Sequence, residues 1–350
     1  MKSQNSTDLA SPEPGGDVSL KDIARLAGVS VSTVSRVINQ PALVTGSKLK
    51  AVEEVLNRFS YIPNNAARAL IKRRSLTIGL IVPTMANPLF VPAVEAIEET
   101  LHAAGYGLLV ACSNRDPDRE LHQTRTMLER GVDGMILTGS NHRSDLVPLI
   151  KSKGVAMVFQ DCATLFPDST SVAMQDAAAM ALAIDALVQR GHRQIAILTG
   201  PTSNTPPVAE RVRGAREQLE KHGIGVDPGD IEETPDYEAA TACAAVGRLL
   251  DRRRGYTAIA CTGDILALGA IMQLRRAGLS VPDDISIIGC SDSVMAQYVD
   301  PPLTTIHLPY RKMGGFAAEQ LLGRLAGKAP AGPHFLDFHL VERASVRPLR

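Results

Sequence analysis

Residues 18–39 read VSLKDIARLAGVSVSTVSRVIN, and their spacing describes two short helices joined by a tight turn. Ser19-Leu20-Lys21-Asp22 is a capping-box-like start in which Asp22 stands where Glu or Gln is usual. Leu20, Ile23, Ala24 and Ala27 follow at i, i+3, i+4 and i+7, which makes one apolar face. Gly28 stops the first helix and permits the turn. Ser30 caps the second helix, whose Val34, Val37 and Ile38 form a buried stripe. At about 100° per residue, Ser32 and Arg36 fall opposite that stripe, flanked by Thr33 and Ser35. The exposed ridge is therefore small and polar and ends in an arginine. Such a ridge suits the major groove of DNA, where hydroxyls meet base edges or phosphates and arginine forks onto guanine. Spacing alone fits an ordinary surface helix equally well.

Charge is uneven around this stretch. The whole chain balances, with 37 basic and 37 acidic residues. Between Val18 and Ser75, however, the bases are Lys21, Arg25, Arg36, Lys48, Lys50, Arg58, Arg68, Lys72, Arg73 and Arg74, against Asp22, Glu53 and Glu54 alone. A basic module joined to a more acidic remainder fits a grip on a polyanion plus a separate second function, although a merely basic surface has the same composition. Residues 1–17 are polar and bear Pro and Gly without an apolar run, and so are expected to be a disordered tail rather than a signal peptide. After Tyr61, a Pro/Asn entry leads into an Ala-rich stretch and a basic run. Asn64 to Ile71 has helix-forming residues but is too short for a stable isolated helix. Ala66, Ala67 and Leu70 share one face and are small enough for two copies to approach closely, and a plain linker also satisfies the composition.

From Leu76 onward the texture changes. Buried-strand signals at Ile78–Val82, Gly107–Ala111, Gly134–Thr138 and Val155–Phe159 alternate with amphipathic helix patterns. A second series runs through Ile195–Leu198, Ala258–Cys261 and Ile285–Gly289. Alternation of this kind means parallel α/β sheets, here two similar lobes with a cleft between them. Ligands of such sheets sit at the carboxyl ends of the strands. The five cysteines are scattered, with no CxxC and no metal-ligand spacing, which reads as reduced, mostly buried thiols of a cytosolic protein. No apolar run is long enough to span a bilayer. An enzymatic reading finds no GxSxG and no HExxH, and Gly323-Arg-Leu-Ala-Gly-Lys328 is one residue short of a phosphate-binding loop with no Ser or Thr after the lysine. A transport binding protein is disfavoured by the missing signal peptide.

Residues 18–39, together with Tyr61-Ile-Pro-Asn-Asn-Ala-Ala-Arg-Ala-Leu70, resemble the signature of the lactose-repressor (LacI) family of bacterial transcriptional regulators. The resemblance continues through Asp264–Gly269, Val281–Gly289, Pro301–Ile306 and Leu340–Ser345. It implies an all-α N-terminal helix-turn-helix head plus an α/β periplasmic-binding-protein-like core of two parallel-sheet lobes. The expected division is a tail over 1–17, the head over 18–62, a hinge helix and linker over 63–75, and the core over 76–350. Within the core, the N-lobe takes about 76–175 and 308–334, and the C-lobe about 176–307 and 335–350. Base contacts are implied for Val31, Ser32 and Arg36, and phosphate contacts for Ser30, Thr33, Ser35 and Asn39. In the hinge, Asn64 and Arg68 are expected near the DNA, and Leu70 as a minor-groove wedge that unstacks a base step. Effector contacts are implied for Leu89, Phe90, Asp161, Gln175, Arg211, Tyr237, Asp264, Ser291 and Asp292. The implied protein is a cytoplasmic, nucleoid-associated homodimer on a near-palindromic double-stranded operator. It takes no cofactor, metal or membrane and is not an enzyme.

Four positions depart from the family pattern. Lys48-Leu49 replaces a usual Thr-Arg, Gly263-Asp264 an Asn-Asp, and Gly289-Cys290-Ser291 a Gly-aromatic-acid. Near the inter-lobe crossover, Gln175-Asp176 stands where an Asp commonly precedes an Asn, and a one-residue slip would put Asp176 in that role. Fewer carboxylates in the pocket would leave Arg211 less neutralised, from which an acidic effector, a sugar acid or sugar phosphate, is expected.

Overall fold

Ser19 starts the first helix with both halves of a capping box, in a computed structural model that describes residues 18–61, 74–163, 166 and 168–349. Its hydroxyl accepts from Asp22 N at 3.3 Å, and its own N–H donates to Asp22 Oδ2 at 3.1 Å. A cap of this kind is worth about 1 kcal/mol. Helix α1 (Leu20–Leu26) ends before Gly28, whose φ of 65° lies in the left-handed region that turns the chain toward the next helix. Helix α2 (Val31–Asn39) is capped by Ser30, and α3 (Gly46–Arg58) closes the bundle. Ile23, Ala24, Val34, Val37, Val52 and Phe59 form its core. This head is one compact unit, and residues 74–350 form a second.

The second unit carries two six-stranded sheets. The first has the order β11-β5-β4-β3-β1-β2, with β1 Thr77–Val82, β2 Gly107–Cys112, β3 Gly134–Thr138, β4 Ala156–Gln160, β5 Thr170–Met174 and β11 His334–Leu336, all parallel. Its central strands β3 and β4 are mostly apolar and buried because helices cover both faces. On one face lie α4 (Val91–Ala103) and α11 (Tyr310–Leu325), and on the other α5 (Pro117–Glu129) and α6 (Leu146–Ser152). The second sheet runs β12-β10-β9-β8-β6-β7, with β6 Ile195–Thr199, β7 Ile231–Glu233, β8 Ala258–Cys261, β9 Ser286–Ser291, β10 Thr304–His307 and β12 His339–Val341. Only β12 is antiparallel, paired with β10. Helices α7 (Asp176–Gln189) and α8 (Pro206–Lys221) flank it on one side, and α9 (Ala239–Asp251) and α10 (Asp264–Arg276) on the other.

The chain crosses between the lobes three times, after Met174, after His307 and after Leu336. The last crossing falls later than the expected 334/335, because Phe335 and Leu336 still pair with Ala173 and Met174 of β5. One apolar cluster joins Ile78 and Leu80 of the first sheet to Ile197 and Ile288 of the second. Cys162, Cys243, Cys261 and Cys290 are buried and Cys112 is half-buried. Among the described residues, no helix is long and apolar enough to cross a membrane.

Candidate functional site

Two places in the chain present chemistry, one in each unit. In the head, Val34 and Val37 are buried on the inner face of α2, while Val31, Ser32 and Arg36 are exposed on the outer face. Val31 is an apolar side chain left 42% open to solvent, which suits contact with a thymine methyl rather than a core. Ser30 Oγ lies 2.8 Å from Ser32 Oγ and 2.9 Å from Thr33 Oγ1, so the start of α2 carries a cluster of hydroxyls. Arg36 projects with no protein partner among the described residues. Asn39 is turned back along its own helix and donates from Nδ2 to Ser35 O at 2.8 Å. The expected hinge contacts Asn64, Arg68 and Leu70 lie outside the described residues.

The second place is a cavity between the two lobes, with about 660 Å³ of empty space including its mouth. Its walls come from the carboxyl ends of strands. Asn87 to Phe90 follow β1, Asp161 follows β4, Asp264 follows β8 and Ser291 ends β9. Leu89, Phe90, Asp161, Arg211, Tyr237, Asp264 and Ser291 all line it. Phe90 meets Tyr310 edge-on, with ring centroids 6.1 Å apart, and Tyr237 supplies a second aromatic wall from the other lobe.

Arg211 is the electrostatic centre of this cavity. Its Nε donates to Asp176 Oδ1 at 2.7 Å, Nη1 to the Thr262 carbonyl at 3.0 Å and Nη2 to the Tyr310 hydroxyl at 3.2 Å. Both members of the ion pair are buried. The ion pair depends on a close helix contact one turn further along α8. A Cβ on Gly214 would sit 2.1 Å from the Ala177 carbonyl oxygen, so only glycine lets α8 lie against the start of α7. Asp161, at a left-handed φ of 54°, faces the same pair. Burial, reinforced by the charge of Asp176 and opposed by Arg211, pushes its carboxyl up to about 7. At that value it serves a ligand hydroxyl as acceptor or, when protonated, as donor.

These contacts correct three expectations. Arg211 is neutralised after all, because Asp176 rather than Gln175 begins α7 and turns its carboxylate onto the guanidinium. Gln175 lies instead on a separate cavity with Met174, Ala177 and Phe335. Asp292 is also outside the central cavity. Its carboxylate is held by Arg343 Nη2 at 2.7 Å and His307 Nδ1 at 3.0 Å, two partners remote in sequence. Asp264 does line the cavity, but both its oxygens are engaged, accepting from Thr305 Oγ1 and Ser293 N at 2.6 Å each. Gly289 makes room for it, since a Cβ there would lie 2.3 Å from Asp264 Oδ1.

Sequence reasoning did not reach Arg115, Thr205, Thr262 or Tyr310, which also line the cavity. Arg115 had a usable signal, because it lies in the loop that follows the strand at 107–112, where ligands of parallel sheets bind. Tyr310 had none, since its place depends on the return crossing after His307.

Residues 19–64 match the family described as bacterial regulatory proteins, lacI family, and residues 184–346 match a periplasmic binding protein-like domain. The HTH-type transcriptional repressor PurR of Aliivibrio fischeri (strain MJ11) is 34% identical over 312 residues, 88% of this chain and 92% of that protein. The ribose operon repressor of Escherichia coli K12 is 32% identical over 307 residues, 87% of this chain and 92% of that protein. Among solved structures, the lac repressor dimer bound to operator and the anti-inducer ONPF matches with a TM-score of 0.84 at 28% identity, over 95% of this chain and 100% of that one. The chain belongs to the lacI family of bacterial regulatory proteins: it is a DNA-binding transcriptional repressor with an effector-binding core, and not an enzyme.

Proposed function

We propose that this repressor acts as a homodimer on a near-palindromic operator and controls a carbohydrate or sugar-acid catabolic operon. Two copies of α2 enter successive major-groove half-sites, with Val31, Ser32 and Arg36 on base edges and Ser30, Thr33, Ser35 and Asn39 near phosphates. Asn64, Arg68 and Leu70 link head to core in this reading. The protein works on nucleoid DNA in the bacterial cytoplasm. The observation that carries the proposal is the inter-lobe cavity, whose polar groups converge from both lobes on one space. A molecule bound there has different contacts in open and closed arrangements of the lobes, and that difference is what an allosteric effector requires. A LacI family transcriptional regulator from Enterococcus faecium, solved with bound ribose and 28% identical over 78% of this chain, favours a hydroxylated effector.

Arg36→Ala tests the DNA half of this reading. The variant is expected to lose about 1–3 kcal/mol of discrimination at one base pair of each half-site, with the other positions unchanged. Affinity across a library of operator point variants is the measurement. Uniform weakening over all sequences would instead make Arg36 a phosphate contact.

A further inference from the structure

The cavity has two guanidinium groups, and they differ sharply. Arg211 has a carboxylate, a carbonyl and a hydroxyl around it. Arg115 has no acceptor among the described residues. Its Nε is buried without a partner, and burial lowers its affinity for its own proton. The guanidinium stacks over an aromatic ring, its carbon 4.8 Å from the centroid of Tyr237. The neighbouring Asp116 is committed to the start of α5, where its Oδ1 accepts from Asp118 N at 2.9 Å and Arg119 N at 3.4 Å.

Arg115 is also held where it is by an unusual backbone. Asn114 and Arg115 have φ of 54° and 58°, two consecutive non-glycine residues in the left-handed region. Such conformations cost free energy and cluster at functional sites. They direct the side chain across the cleft, from the loop after β2 in one lobe to Tyr237 of the other lobe.

The hydrogen-bond inventory of the surroundings is lopsided. The Tyr237 hydroxyl and Thr205 Oγ1 are buried, face each other, and have no further hydrogen-bond partner among the described residues. Together with the guanidinium they can turn three sets of donors toward one ligand, each hydroxyl being able to accept as well, and Asp161 Oδ1 is an unpaired acceptor beside them. The Arg115 guanidinium is the one charge among these donors, and it has no anion paired with it among the described residues. Leaving such groups unpaired is costly, and a ligand that pairs them recovers the cost. We infer that the effector is a small hydroxylated anion whose carboxylate or phosphate is received by Arg115, Tyr237 and Thr205 and whose hydroxyls reach Asp161. The inference rests on the cavity being the effector site. It moves the anion-binding role from Arg211, whose charge is already matched, to Arg115, whose charge is not.

The test is thermal unfolding and calorimetry of the full-length protein at constant ionic strength. The probes are D-gluconate against D-glucose, ribose 5-phosphate against ribose, and inorganic phosphate alone. At least one anion is expected to raise the melting temperature above its neutral counterpart or above chloride. Arg115→Gln should weaken that anion about 10- to 100-fold, and Arg115→Lys should retain part of its binding. The gluconate and phosphate arms separate the two kinds of anion. The ligand-free Arg115→Gln protein should melt no lower than wild type, whereas a purely structural arginine would lower the transition. Neutral sugars binding as tightly as the anions, with Arg115→Gln indifferent to both, would overturn the inference and leave the effector site intact. So would the absence of any anion-specific shift. Binding of any probe that is insensitive to Arg115, Asp161 and Tyr237 variants alike would instead count against the cavity itself.

Discussion

Replacing Arg211 with methionine is expected to lower the unfolding free energy of the core by about 3–5 kcal/mol. The loss does not measure the worth of the ion pair. It measures what remains when one partner goes, namely the Asp176 carboxylate, the Thr262 carbonyl and the Tyr310 hydroxyl, all buried and all without their donor. Asp161 lies beside them, so the variant also brings two carboxyl groups together without a cation. The double variant Arg211→Met, Asp176→Asn removes the stranded charge and should recover at least half of the loss, because buried pairs replaced as a unit are often close to neutral. Urea unfolding of the three proteins is the measurement. A single-variant loss below about 1 kcal/mol would mean that Arg211 and Asp176 are not paired in the folded protein.

Gly214→Ala carries the second large effect, and its sign is informative. In an open helix position, alanine stabilises relative to glycine by about 1 kcal/mol. At Gly214 the new Cβ would meet the Ala177 carbonyl oxygen at 2.1 Å, a backbone atom that cannot rotate away. Helix α8 must then lift from α7, and overpacking of this kind costs about 1–3 kcal/mol. The same displacement draws Arg211 from Asp176. Gly247, in the interior of α9, is the control, since its nearest neighbour in that direction is Gln273 Nε2 at 3.8 Å. Gly247→Ala should stabilise where Gly214→Ala destabilises. Stabilisation by both would show that α7 and α8 are further apart than described.

The parts of this molecule that were legible in its sequence are those where local pattern and tertiary role coincide. Ile78 to Val82 and Gly134 to Thr138 are short apolar runs, and they are central strands buried on both faces. The head was readable for the same reason, because Val34 and Val37 face inward at the helical period and Arg36 faces out. Strand β5 was not, since Thr170 and Ser171 begin it with polar residues that are nonetheless buried. Strands β11 and β12 are three residues each and owe their place to neighbours far along the chain.

In the cavity, the strand-end rule finds the address but not the direction of a side chain. Ser291 and Asp292 are adjacent, yet Ser291 lines the cavity and Asp292 turns to His307 and Arg343. Gln175 and Asp176 differ by one position, and the start of α7 decides which of them reaches Arg211. The charge balance of the pocket turns on that single position. The unmatched cation is Arg115, which no periodicity marks.

The most direct measurement of the coupling between the two units is the operator affinity of the full-length chain with and without a compound that saturates the inter-lobe cavity. A DNA fragment recovered by selection, labelled for fluorescence anisotropy, would serve as the operator. Its Kd is expected to change by about 5- to 150-fold when the cavity is filled, with binding to unrelated DNA unchanged. An operator Kd that stays the same with the cavity saturated by calorimetric titration would contradict the assignment of the cavity as the switch.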